Sequence, residues 1–154
     1  MDLYIVRHGI AIDREDPKCP PDPERYLTEE GIEKTKQVAK GVAALGIHAD
    51  LLISSPYVRA TQTAEIFAHA LDYSKQKIRR SDLLLPGAEP SMLFKELAKD
   101  KHSSSVFLFG HAPQLDEIIA AEMTHPDWDE SRVAALKKQK LRIKDELLRL
   151  RALH

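Results

Sequence analysis

An α/β fold built on a mostly parallel sheet is what this 154-residue chain predicts, and three observations predict it. First, strand-length apolar runs occur at Leu3-Tyr4-Ile5-Val6, Leu51-Leu52-Ile53 and Val106-Phe107-Leu108-Phe109, without the apolar/polar alternation of a half-solvated strand. Continuous apolar strands suit a sheet covered on both faces, as parallel sheets are. Second, segments with helical periodicity separate these runs, the alternation expected of βα units. Third, each run ends in polar or turn-forming residues: Arg7-His8-Gly9, Ser54-Ser55-Pro56 and Gly110-His111. Open α/β sheets bind their ligands at the carboxyl ends of their strands, so these endings share one rim.

In chain order, Leu3–Val6 is the first strand, and Gly9 removes a side chain where the backbone must turn and a ligand can approach closely. Residues 13–24 carry four prolines and a concentration of acidic residues, which precludes a regular element. This loop lies beside the first strand's end and either lines the substrate's approach or is a solvated excursion. Thr28 is a helix cap followed by Glu29 and Glu30 in the favourable first turn; Ile32, Val38, Val42 and Leu45 form the apolar face and Gly46 the stop. After the strand Leu51–Ile53, Ser55 caps a second helix with Pro56 at its first position, placing Arg59 near its N-terminus. That helix continues through Ala64, Ile66, Phe67, Ala70 and Leu71. Residues 78–85 read as a further strand ended by Pro86-Gly87, and Met92, Leu93 and Leu97 as a short helix. After the strand at Val106–Phe109, Gln114 to Ile119 is helical. Residues 136–153 read either as a helix, having strong formers and no Gly or Pro, or as a hairpin turning at Asp145-Glu146.

Two histidines and two arginines, His8, His111, Arg7 and Arg59, are thus delivered to one rim, a set suited to a phosphate. Phosphoryl transfer needs an in-line nucleophile and charge neutralisation around the equatorial oxygens. His8 is the candidate nucleophile, attacking as the neutral imidazole and splitting one displacement into two. Arg7, Arg59 and His111 are the candidate clamp, arginine supplying a planar fork that matches the oxygens. Nearby arginines should also disfavour protonation of His8.

Arg7-His8-Gly9, the run Ser54-Ser55-Pro56-Tyr57-Val58-Arg59-Ala60-Thr61-Gln62-Thr63-Ala64, and Gly110-His111 resemble the three signatures of the histidine phosphatase superfamily, whose best-known members are the phosphoglycerate mutases. Arg25-Tyr26-Leu27-Thr28 with Gly31 resembles a fourth family element. In its shortness the chain is most similar to the small SixA-type phosphohistidine phosphatases. The resemblance implies a three-layer sandwich with a mostly parallel central sheet, phosphoglycerate mutase-like and without a large inserted lid, as a single domain over residues 1–154. It implies the same roles for Arg7, His8, Arg59 and His111, and it favours the hairpin for residues 136–153. Glu89, in the loop Pro86-Gly87-Ala88-Glu89-Pro90, lies where larger family members carry a catalytic glutamate and is the candidate general acid. A phosphohistidine leaving group makes a strong acid unnecessary, because a phosphoramidate is already a reactive donor.

Composition narrows the alternatives. At 43% hydrophobic and 31% charged, with a formal net charge of −1, the chain has no general affinity for nucleic acid or membrane to offer. The single Cys19, an expected exposed loop thiol, excludes an internal disulfide and fits a reducing, cytoplasmic setting. No cofactor is expected, and no metal: there is no His-Glu-x-x-His helix or cysteine cluster, and His48, His69, His102, His125 and His154 fit no motif. The expected function is a phosphatase with a covalent phosphohistidine intermediate, acting on phosphohistidine in a signalling or phosphotransfer protein. A broad small-molecule phosphomonoesterase is the nearest alternative, and a non-catalytic phosphate-binding module the alternative from another class. A mutase is disfavoured, because the 51 residues between Arg59 and His111 leave little room for an enclosing lid.

Overall fold

The structure, a computed structural model, describes residues 1–123. Strands β1 (Asp2–Arg7), β2 (Leu51–Ser54), β3 (Arg79–Arg80) and β4 (Ser105–Gly110) form one sheet in the order β1-β4-β2-β3, and every pairing is parallel. Helices α1 (Glu29–Ala44), α2 (Val58–Ala70), α3 (Pro90–Leu97) and α4 (Gln114–Met123) connect and cover it.

Strand β4 shows why the sheet is covered on both faces. Its alternate side chains divide between two cores: Val106 and Leu108 pack with Leu93 and Leu97 of α3 and Leu115 and Ile118 of α4. Phe107 and Phe109 turn the other way, against Ala39 and Val42 of α1 and Ala64, Phe67 and Ala68 of α2. Strand residues alternate faces with period two, so an all-apolar strand is stable only between two layers. Both phenylalanines are buried, and each such burial contributes about 1.5–3 kcal/mol. The expected three-layer, mostly parallel sandwich is therefore present, and among the described residues no large insertion covers the carboxyl end of the sheet.

Local signals explain most boundaries. Thr28 Oγ1 accepts from the Gly31 N–H at 3.0 Å and caps α1, as its sequence predicts. After α1 the chain turns at Gly46, whose positive φ of 71° suits a residue without Cβ. Four expectations need correction. Helix α2 begins at Val58 with Tyr57 as its cap, two residues after Pro56; the Ser55 hydroxyl pairs with His111 Nε2 at 2.8 Å and accepts the Tyr57 N–H at 3.4 Å, ahead of the helix. The strand expected over residues 78–85 is reduced to Arg79–Arg80; Ser81 Oγ accepts from the Leu83 N–H, starting a 3₁₀ turn at Asp82–Leu84 that carries Leu84 into the core. Within the proline-rich loop, Asp22–Glu24 form one 3₁₀ turn, with Pro23 inside it where no N–H is needed. Cys19 is half-buried, its Sγ against the Pro20 carbonyl, and not the exposed thiol expected. The hairpin reading of residues 136–153 lies outside the described residues.

Candidate active site

The rim of the sheet is assembled by hydrogen bonds between strand ends. The His8 N–H donates to the Gly110 carbonyl at 3.1 Å and the Ser55 N–H to the Phe109 carbonyl at 2.9 Å, so the ends of β1, β2 and β4 are held side by side. The Gly9 N–H donates to Thr63 Oγ1 at 3.0 Å, tying the turn after β1 to α2. A Cβ on Gly9 would collide with Thr35 Oγ1, which explains why this turn needs glycine.

Within this frame His8, Arg59 and His111 come together. Arg59 Nε donates to His8 Nε2 at 3.2 Å, and the His8 and His111 ring centroids lie 5.2 Å apart. His8 Nδ1 lies 2.7 Å from the Gly9 carbonyl, which can only accept, so Nδ1 carries the proton. Arg59 can only donate, so Nε2 presents its lone pair to it. Two independent partners thus fix the tautomer whose bare nitrogen faces the cluster. His111 is 2% exposed; its Nε2 pairs with Ser55 Oγ, while its Nδ1 is buried with no hydrogen-bond partner among the described residues. The Tyr57 ring meets His111 edge-on at 5.1 Å and lies under the Arg59 guanidinium. Arg59 is itself only 3% exposed.

Electrostatics keep both rings neutral. Burial lowers the His8 pKa below its ordinary 6.5, with Arg59, Arg7 and Arg25 adding to the effect and the Gly9 carbonyl opposing it. Burial likewise lowers His111, to about 4, helped by the charge of Arg59 and opposed by Asp22. The arginines act as the sequence predicts, but burial is the larger cause.

Arg7 stands exposed at the end of β1, its charge felt at His8. Glu89 stands apart: it is exposed ahead of α3, its carboxylate accepts from Ser91 Oγ at 2.8 Å, and among the described residues no bond joins it to His8, Arg59 or His111. His48, His69 and His102 are exposed, and among the described residues no group of three or more His, Cys, Asp or Glu side chains is placed to hold a metal ion. Nor, among those residues, is any helix long and apolar enough to cross a membrane.

Residue-by-residue reading of the sequence gave no role to Asp22 or Thr63. Asp22 comes from the proline-rich loop, which turns inward: Arg59 Nη1 donates to its carbonyl at 2.6 Å and Arg59 Nη2 to its Oδ2 at 3.2 Å. Its Oδ1 takes Arg25 at 3.1 Å and Arg14 at 3.2 Å. Arg14, Cys19, Pro20, Asp22 and Arg25 line an open cavity of about 500 Å³ beside the cluster. The only sequence signal was a short acid between Pro21 and Pro23, where both neighbours have restricted backbones.

Comparison with known proteins adds to this geometry. Residues 3–84 match the histidine phosphatase superfamily (branch 1), and residues 113–151 match a protein family of unknown function, DUF465. Over 70 residues, 46% of this chain and 41% of the relative, the chain is 49% identical to an uncharacterized protein of Picosynechococcus sp.. It is 37% identical over 86 residues to the mitochondrial serine/threonine-protein phosphatase Pgam5 of Drosophila persimilis, covering 56% of this chain and 28% of that one. The chain therefore spans less than half the length of these curated relatives. The structure of the protein histidine phosphatase SixA complexed with tungstate superposes with a TM-score of 0.71 at 22% identity, over 79% of this chain and 76% of that one. The ecdysone phosphate phosphatase of Bombix mori with tungstate superposes with a TM-score of 0.62 at 17% identity, over 83% and 80% of the two chains. At such identities the two structures establish the shared fold.

Proposed function

The chain belongs to the histidine phosphatase superfamily, and from that premise we propose that it is a phosphatase working through a covalent phosphohistidine on His8, with phosphohistidine on another protein as its substrate. The observation that carries the proposal is the His8 tautomer: Nδ1–H tied to the Gly9 carbonyl and a bare Nε2 aimed at Arg59. In the first step the Nε2 lone pair forms a bond to phosphorus while the bond to the leaving group breaks, the leaving group keeping its electron pair and taking a proton from water. In the second, water attacks the phosphorus, the N–P bond returns its pair to Nε2, and phosphate departs. Splitting the displacement lowers each barrier.

Arg59 and Arg7 offset the charge of the equatorial oxygens, and the unpartnered His111 Nδ1 offers a site for one of them when it carries the proton. Binding an anion there would relieve a buried polar atom that otherwise costs stability. Because α2 starts one residue before Arg59, its N-terminal partial charge adds to the clamp. Glu89 is the candidate general acid for substrates with a poor leaving group, while an imidazole leaving group needs little help. The fold shared with SixA and the sequence likeness to Pgam5 both support a phosphoprotein substrate. The fold shared with ecdysone phosphate phosphatase supports the alternative, a small phosphomonoester. The single domain over residues 1–154 is likewise proposed, supported by β4, which lies past the family match and pairs with β1 and β2 inside the same sheet.

Incubation with para-nitrophenyl phosphate followed by an alkaline quench tests the scheme. It should leave an acid-labile phosphate on His8, and His8→Ala should show neither the adduct nor turnover. Undiminished turnover by that variant would refute the mechanism.

A further inference from the structure

Arg59 is almost completely buried, and a buried guanidinium needs both a counter-charge and acceptors for its N–H groups. His8 takes Nε, whereas the whole Nη edge goes to Asp22, Nη1 to its carbonyl and Nη2 to its carboxylate. We propose that Asp22 is a positioning residue for phosphoryl transfer: it holds the Nη edge of Arg59 so that the Nε edge faces the nucleophilic nitrogen of His8. This rests on the phosphatase reading above and adds to it a residue that the family-like motifs do not contain.

The rest of the loop is built to hold Asp22 still. Arg25 donates to the Ile12 carbonyl through Nε at 3.0 Å and Nη2 at 2.6 Å, and through Nη1 to Asp22 Oδ1 at 3.1 Å. A continuous chain of bonds therefore runs from the Ile12 backbone through Arg25 and Asp22 to Arg59 and His8. Pro21 and Pro23 flank Asp22 and restrict the backbone that supplies the Nη1 acceptor. With Oδ1 occupied by Arg25 and Arg14, only Oδ2 is left for Arg59, so the carboxylate has one orientation. Burial raises the Asp22 pKa, but the Arg25 hydrogen bond and the Arg59 and Arg14 charges outweigh it and hold the carboxyl below its ordinary 3.8. A planar cation held along one edge presents its other edge at a fixed angle, and small misplacements of such groups are costly in rate.

A double-mutant cycle on para-nitrophenyl phosphate hydrolysis tests the proposal. Asp22→Ala should lower kcat/KM by about 10-fold or more and weaken competitive inhibition by vanadate by a similar factor; because it also strips the buried guanidinium of its counter-charge it should lower the thermal midpoint, so rates are compared at a temperature where every variant is folded. Asp22→Asn, which keeps the carbonyl and an acceptor oxygen, should retain more activity than Asp22→Ala. In an Arg59→Ala background, itself strongly impaired, Asp22→Ala should cost nothing further. An equal loss in both backgrounds, or a rate increase showing that Asp22 blocks the clamp, would overturn the positioning role and leave the phosphatase reading standing. Undiminished hydrolysis by Arg59→Ala would overturn the clamp itself and this inference with it.

Discussion

Protonation of the two site histidines is opposed first by burial and then by Arg59, which has a consequence for stability as well as for nucleophilicity. As pH falls through 6.5, unfolded chains take up a proton on His111, while the folded protein resists until about 4. In that window the unfolded state binds more protons, so stability falls as pH falls, and the loss is complete below the folded pKa. For His111 the loss amounts to about 3 kcal/mol. Urea unfolding at pH 7 and at pH 4.5 should show this as a lower midpoint in acid, and His111→Asn should shrink the difference. An unchanged difference in that variant would rule out His111 as the source. His8 acts in the same direction, so if it is the nucleophile, as proposed, the acidic limb of kcat/KM should lie below pH 6.5.

At the scale of elements, the turn after β1 and the start of α1 are fitted to each other without slack. The Thr28 N–H donates to the Ile10 carbonyl at 2.9 Å, and a Cβ on Gly31 would collide with that same carbonyl oxygen. Gly41 lies in the same helix, and no atom of the described residues lies within 4 Å of where its Cβ would be. Gly31→Ala should therefore destabilise the protein by about 1–3 kcal/mol and, by displacing Gly9 and Ile10, slow turnover. Gly41→Ala should stabilise it by about 0.5–1 kcal/mol without affecting activity. Equal effects of the two in thermal melts and rate assays would refute the tight fit. The features legible in the sequence are those decided locally: apolar runs that end in Arg7-His8 and Gly110-His111, and the Thr28 cap. Residues 78–85 misled because Leu83, Leu84 and Leu85 suit a strand as well as a turn, and only the Ser81 hydroxyl and the packing of Leu84 decide between them. Asp22 was illegible because its partner Arg59 lies 37 residues away, and no spacing rule reports a contact made by tertiary folding. Thr63 is similar: its bond to the Gly9 N–H spans 54 residues.

At the scale of the whole molecule, the segment seen among the described residues to reach over the sheet's carboxyl rim is the loop of residues 13–24. Between Arg59 and His111 the chain builds the rest of α2, short 3₁₀ turns, β3, α3 and β4, which leaves no segment for a lid from that side. The loop of residues 13–24 folds against Arg59 through Asp22, and next to this contact Arg14 and Arg25 line an open cavity of about 500 Å³. An enclosed site extracts binding energy from every face of a small metabolite, whereas an open one must gain it from a surface that extends past the phosphoryl group. A phosphorylated side chain on another protein supplies that surface, and a free sugar phosphate does not. Steady-state comparison of a phosphohistidine-bearing protein with a panel of sugar phosphates and phosphoglycerates should give the phosphoprotein the higher kcat/KM, expressed mainly as a lower KM. A small metabolite turned over with a kcat/KM greater by orders of magnitude would reject the protein-substrate proposal. It would also mean that the loop of residues 13–24 closes over a small ligand more completely than its open cavity implies.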